Sequence, residues 1–327
     1  MKKNKMMRIA SVLLVAVLIS TCAIAGTYAK YVTKASGEDT ARVAKWGVLL
    51  SIDGTGAFDS KYKAEDQAYI DAGGTYSVEA FAAENEEADK VVAPGTNSEL
   101  IKKTLKATVT GKPEVAARYA ITGTVTDIVL PAGEYIDYTN LVLKDGKYGY
   151  TDTFTLEADY APVKWNLSIS KNGGEALNVA DALYDNLPPE LLAKAEAYGL
   201  TKDGCSFFAA VSILKKVADN DTYVEVVDTA LGNIVSGGRN FTLDVTDDGV
   251  FTLSYDFDAN KEMGFEFVLS WEWAFEQLDD NGAVIDLYDK ADTYLGNIAA
   301  GIDGIVVPEG ASINIGATLT ASATQID

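Results

Sequence analysis

Forty-eight carboxylates and not one histidine set the chemistry open to this 327-residue chain. Without histidine there is no Ser-His-Asp triad, no Cys-His dyad and no HExxH zinc site, and the usual base near neutral pH is missing. Acids alone can hydrolyse a glycosidic bond, but that takes two carboxyls flanking the sugar linkage, at least one with a displaced pKa. The sequence singles out no such pair. Glu266, Glu272 and Glu276 fall on one side of an alternating stretch and read as a solvated strand face. No catalytic residue is assigned, and the chain reads as a non-enzyme.

Calcium is the next chemistry that acids offer. Asp256-Phe257-Asp258-Ala259-Asn260 begins like a D-x-D-x-N loop, but Lys261 stands where the loop needs Gly and Phe267 where it needs the bidentate Glu. That stretch reads as a turn between strands. Asp279, Asp280 and Asn281 remain weak calcium candidates, in a stretch that also reads as a hairpin turn. No cofactor is expected, with calcium the one ion left open. Trp271 and Trp273 offer a sugar-stacking platform, yet they share a face with Phe265, Phe267 and Leu269, which points to core packing. Cys205 precedes Ser206-Phe207-Phe208, an apolar setting that suits a buried, inert thiol.

The elements that hold these residues alternate with a period of two. Phe265 to Phe275 puts aromatic and aliphatic side chains on one face and Glu266, Ser270, Glu272 and Glu276 on the other. Val250 to Phe257, Phe241 to Val245 and Ile313 to Ser322 behave alike, with Asp247-Asp248-Gly249 as a turn. In the first half, Leu105 to Val109, Val115 to Leu130 (broken around Gly123), Leu141 to Leu143, Gly149 to Leu156 and Val163 to Ser170 read as strands. Strands at this spacing, with few helices between them, predict an all-β, antiparallel sandwich. One stretch departs from the pattern. Pro188-Pro189-Glu190 opens a helix closed by Gly199, and Ala176 to Tyr184 reads as a second, so residues 174–204 are expected to form a helical insertion.

The chain opens with Lys2, Lys3, Lys5 and Arg8, followed by an uncharged apolar run from Ile9 to Ala25. This is the pattern of a secretory signal peptide, with Thr27-Tyr28-Ala29 as its small-residue cleavage site and the cut between Ala29 and Lys30. Ala23-Ile24-Ala25 is a second possible site. An uncleaved anchor and a lipid attachment at Cys22 are the alternatives. Losing residues 1–29 removes four positive charges and no negative ones, which moves the net charge from −21 to −25. A surface so acidic repels phosphate backbones, so nucleic acid is not an expected partner. The mature chain keeps one cysteine and must fold without an internal disulfide. Its new N-terminus, Lys30, Tyr31, Val32, Thr33, Lys34, Ala35, Ser36 and Gly37, is β-capable and leads into a strand at Trp46 to Leu50. Such a segment can fray, or it can add a strand to another subunit.

Several stretches together resemble the SipW-dependent exported proteins of Gram-positive bacteria, the TasA/camelysin family. Gly26-Thr27-Tyr28-Ala29-Lys30-Tyr31 is similar to the family's cleavage region, and Ala41-Arg42-Val43-Ala44-Lys45-Trp46 to a motif of its clostridial members. Ala93-Pro94-Gly95-Thr96, the strand Val268 to Glu276, Asp292-Thr293-Tyr294-Leu295-Gly296 and the closing Ala-Thr-Gln-Ile-Asp also fit. The resemblance implies a jelly-roll β-sandwich over 46–327, preceded by a signal at 1–29 that an ER-type, SipW-like peptidase removes. It implies that residues 30–45 hold a donor strand, and that copies self-associate into extracellular biofilm matrix fibres, with an accessory nucleating protein as a further partner. Camelysin relatives have been described as metalloproteases; with no histidine, that activity does not carry over. A monomeric surface adhesin or glycan-binding module is the alternative, followed by a hydrolase with an acidic pair.

Overall fold

A computed structural model describes residues 47–54, 92–98, 104–140, 142–144, 147–171, 173–202, 205–274, 285–302 and 304–326. Within these the chain is predominantly antiparallel strand, with five helices. The larger sheet has the order β1 (Val48–Asp53), β3 (Leu105–Gly111), β13 (Met263–Trp273), β9 (Val163–Lys171), β10 (Leu177–Asn178), with β2 (Thr96–Asn97) also on β13. The second sheet runs β11 (Gly238–Val245), β12 (Val250–Phe257), β4 (Ala117–Thr126), β14 (Gly316–Gln325). Two small ribbons, β5 (Gly133–Ile136) with β8 (Thr153–Leu156) and β6 (Val142–Lys144) with β7 (Lys147–Gly149), complete the strands.

Alternation decides which faces are buried. On β13 the set Phe265, Phe267, Leu269, Trp271 and Trp273 is buried, and on β12 Phe251, Leu253, Tyr255 and Phe257 are. These two faces meet: Tyr255 lies 6.4 Å from Phe265 and 6.2 Å from Phe267, and Phe257 lies 6.1 Å from Phe265, ring centre to ring centre. Side chains from the two main sheets therefore share one core. The turn at Asp247-Asp248-Gly249 forms as its residues predict, with Gly249 at φ +76°.

Two expectations are corrected. β4 is not broken at Gly123; it runs unbroken from Ala117 to Thr126. Gly123 is there for space, because a Cβ on it would stand 2.1 Å from the Phe251 ring on β12. The helical stretch also runs well past residue 204. α1 (Val179–Asp185) and α2 (Pro189–Ala197) lie where the sequence places them, and α3 (Phe207–Val217), α4 (Asn220–Ile234) and, later, α5 (Asp286–Ala299) follow. Phe207, Ala210, Val211 and Leu214 bury one stripe of α3 at helical spacing, and Val227, Ala230, Leu231 and Ile234 do so on α4. The Asp219 carboxylate caps α4 by accepting from the Thr222 N–H at 2.8 Å. Asp292 to Gly296, a family-like mark in the sequence, lies inside α5.

Strand register also fixes the two ends of the molecule. At one end Val48 faces Gly111, Gly111 faces Met263, and Ala117 faces both Phe257 and Gln325. At the other end Gly316 faces Thr126, Leu105 faces Leu269, and Val163 faces Trp273.

Candidate functional site

A sheet edge exposes backbone N–H and C=O groups that can pair with another chain, and proteins usually blunt such edges. Among the described residues the two main sheets have four edges, and two of them are blunted. β10 has two residues and runs directly into α1. β11 carries a register shift between Arg239 and Thr242, Asn240 at φ +54°, and ion pairs from Arg239 to Asp258 and from Lys215 to Asp244. The other two edges are plain. β1 presents exposed Leu49 and Ile52 and ends at Asp53. β14 is ten residues long, has no charged side chain, and keeps one register with β4 from Gly316 to Gln325. Among the described residues no strand pairs with its outer side. β1 and β14 belong to different sheets but lie side by side.

The inner face of β14 is thin. Ala317, Leu319, Ala321 and Ala323 stand opposite Val125, Gly123, Ile121 and Tyr119 of β4. The β4 residues are buried, while the three alanines are only partly covered. An added strand would meet backbone hydrogen-bonding groups along its length and the partly covered alanines on its inner side.

At the Trp273 end, two partly buried carboxylates are each held by an indole. Asp292 on α5 accepts from the Tyr160 hydroxyl at 2.8 Å and from Trp273 Nε1 at 3.3 Å. Burial pushes its pKa up to about 7, against the lowering effect of those two bonds. Asp127, just beyond β4, accepts from Trp165 Nε1 at 3.3 Å, and burial raises it to about 6. Tyr288 of α5 stacks on Tyr160 at 5.0 Å, and Tyr294 packs 4.9 Å from Tyr135. These groups tie α5 to the strands.

The residues weighed for chemistry mostly have structural partners. Trp271 and Trp273 are buried in the core, away from any surface platform. Glu266 pairs with Lys106 at 2.9 Å across β13 and β3, and Glu272 is exposed. The buried Asp256 accepts from Arg118 Nε at 2.7 Å and Nη2 at 3.0 Å, and from Asn240 Nδ2 at 2.9 Å, so its pKa falls, chiefly through the Arg118 bond. Cys205 is partly covered, and burial raises its thiol pKa. Among the described residues no three His, Cys, Asp or Glu side chains gather as a metal site would need, and no helix is long and apolar enough to cross a membrane. Ala29, Lys30 and the rest of the Lys30 to Gly37 segment lie outside the described residues, as do Asp279, Asp280, Asn281 and Glu276.

Sequence reasoning did not find the open edge or the two partly buried acids. The absence of charge from Gly316 to Gln325 was a readable signal for the edge; the acids had none, since burial alone separates them from the other carboxylates. No family model matches the chain, and no curated protein matches it either.

Proposed function

We propose that this protein is a secreted structural subunit that assembles into extracellular fibres by strand addition, without catalysis. Its fold in this reading is a jelly-roll-like sandwich of the two main sheets, and its donor is the segment from Lys30 that signal cleavage would release. The observation that carries the proposal is β14: a ten-residue, uncharged, unbulged edge of a kind that proteins otherwise protect. The exported start of the sequence and its TasA/camelysin-like motifs support the same reading. A peptidase of the ER type would set the N-terminus, and fibres of this class would belong to a biofilm matrix.

The test compares chains 30–327 and 41–327 for assembly by electron microscopy, with circular dichroism to show that both are folded. Filaments from the longer chain alone are expected. Equal assembly by both, or none by either, would reject strand donation.

A further inference from the structure

Exposed large apolar side chains are unevenly spread. Four of them fall within one loop ahead of β14: Ile302 is 49% exposed, Val306 73%, Val307 60% and Ile313 40%. This loop sits at the Trp273 end. Ser312 bridges Val129, just past β4, and the Val306 carbonyl accepts from the Tyr294 hydroxyl of α5 at 2.8 Å. An apolar group of this kind on so acidic a chain marks a contact surface.

The chain that follows the N-terminal segment begins its first strand at the opposite end. Gly47 is followed by Val48 opposite Gly111, beside Met263. That N-terminal segment is also basic, unlike the acidic body that follows it. Residues 30–45 hold four basic and two acidic side chains, whereas residues 46–327 carry a net charge of −27 once those 16 residues and the signal are removed from the −21 total. A second copy's segment is thus electrostatically matched to this body. Ten residues extend about 33 Å at 3.3 Å each, which is the span of β14. As a strand, alternation would put Tyr31, Thr33 and Ala35 on one face, toward the partly covered β14 alanines, and Lys30 and Lys34 on the other.

We infer that β14 takes the N-terminal segment of a second copy antiparallel, and that the 302–313 loop seats the body of that same copy. This rests on the strand-addition reading above. A donor antiparallel to β14 has Lys30 near Gln325 and leaves at Gly316, so its own body must follow at the Trp273 end, over the loop. The Gly47 end of each copy then meets the Trp273 end of the next. The two surfaces differ, so the contact repeats without closing and gives a polar filament.

The loop gives a clean test because Val306 and Val307 are exposed and their replacement leaves the core intact. Val306→Asp with Val307→Asp in chain 30–327 should raise the concentration needed for filaments at least tenfold, with an unchanged melting temperature. Val224→Asp, on an exposed site of α4, should assemble as the parent does. Hydrogen exchange of the parent filaments should show new protection at 316–325 and 302–313. Parent-like assembly of the double variant, or protection gained at β1 with none at β14, overturns the assignment. If chain 41–327 still forms filaments that the double variant abolishes, the strand-addition reading fails while the loop contact stands. If the parent forms no filaments, both fail.

Discussion

Replacing Gly123 with alanine tests the packing of the two sheets most directly. Gly123 faces Phe251 across β4 and β12. An alanine Cβ would stand 2.1 Å from Phe251 Cε1 and 2.6 Å from Cζ, distances no pair of carbons can hold. Phe251 cannot simply swing aside. It is fully buried, and its ring meets Phe207 at 5.4 Å and Phe208 at 6.0 Å, both nearly edge-on. Either the strands move apart, at an overpacking cost of about 1–3 kcal/mol, or the ring leaves its site, which approaches the ~3–5 kcal/mol of a phenylalanine deletion. A loss of about 3 kcal/mol is expected, or roughly 6–12 °C in Tm at ~2–4 °C per kcal/mol. Urea unfolding followed by near-UV circular dichroism measures it. The double variant Gly123→Ala with Phe251→Leu should recover at least about 1 kcal/mol relative to the sum of the single losses, since the methyl then occupies vacated space. A neutral Gly123→Ala, or strictly additive losses, would refute the steric account.

Two further predictions concern carboxylates. Asp292 is raised to about 7 and Asp127 to about 6, from 3.8, so each favours the fold when protonated. That contribution is complete below pH ~3.8 and is lost as pH rises through 6 and 7, so urea midpoints should climb from pH 8 to pH 5. Asp292→Asn should flatten the upper part of that climb, which is worth roughly 4 kcal/mol at most; an unchanged pH profile would show that Asp292 is not the group responsible. Asp256 is shifted downward, so its contribution is present above pH ~3.8 and is lost as pH falls. Asp256→Ala should cost about 1–3 kcal/mol near neutral pH, because Asn240 loses its partner and Arg118 is left to solvent; a neutral result in thermal unfolding would remove the pair from the account of stability.

What the sequence revealed was local. β12 and β13 could be read from period-two alternation because both bury one whole face, and α2 from its Pro-Pro start. α3 and α4 had signals of their own, in the Phe207, Ala210, Val211, Leu214 spacing and the Asp219 cap; the surrounding strand pattern obscured them. Gly123 looked like a break because glycine weakens a strand. Only the register with Phe251, 128 positions later, shows that it makes room. Asp292 differs from the other acids only through Tyr160 and Trp273, which come from distant segments. β14 read correctly as a strand, but its place at a sheet edge depends on the order of strands, which alternation does not encode.

That order also shapes how the chain reaches its fold. β14 completes the second sheet by pairing with β4, so that Ala317 meets Val125 after 192 intervening steps of chain, and β13 joins β3 across a gap nearly as long. Closing loops of this length is slow, because the entropy is lost before the pairing is gained. While β14 is still unmade, β4 has an unpaired side and the core between the sheets stays open. A chain whose last strand closes both the sheet and the core finishes folding only when nearly all of it is available, and the β14 edge forms only at that point.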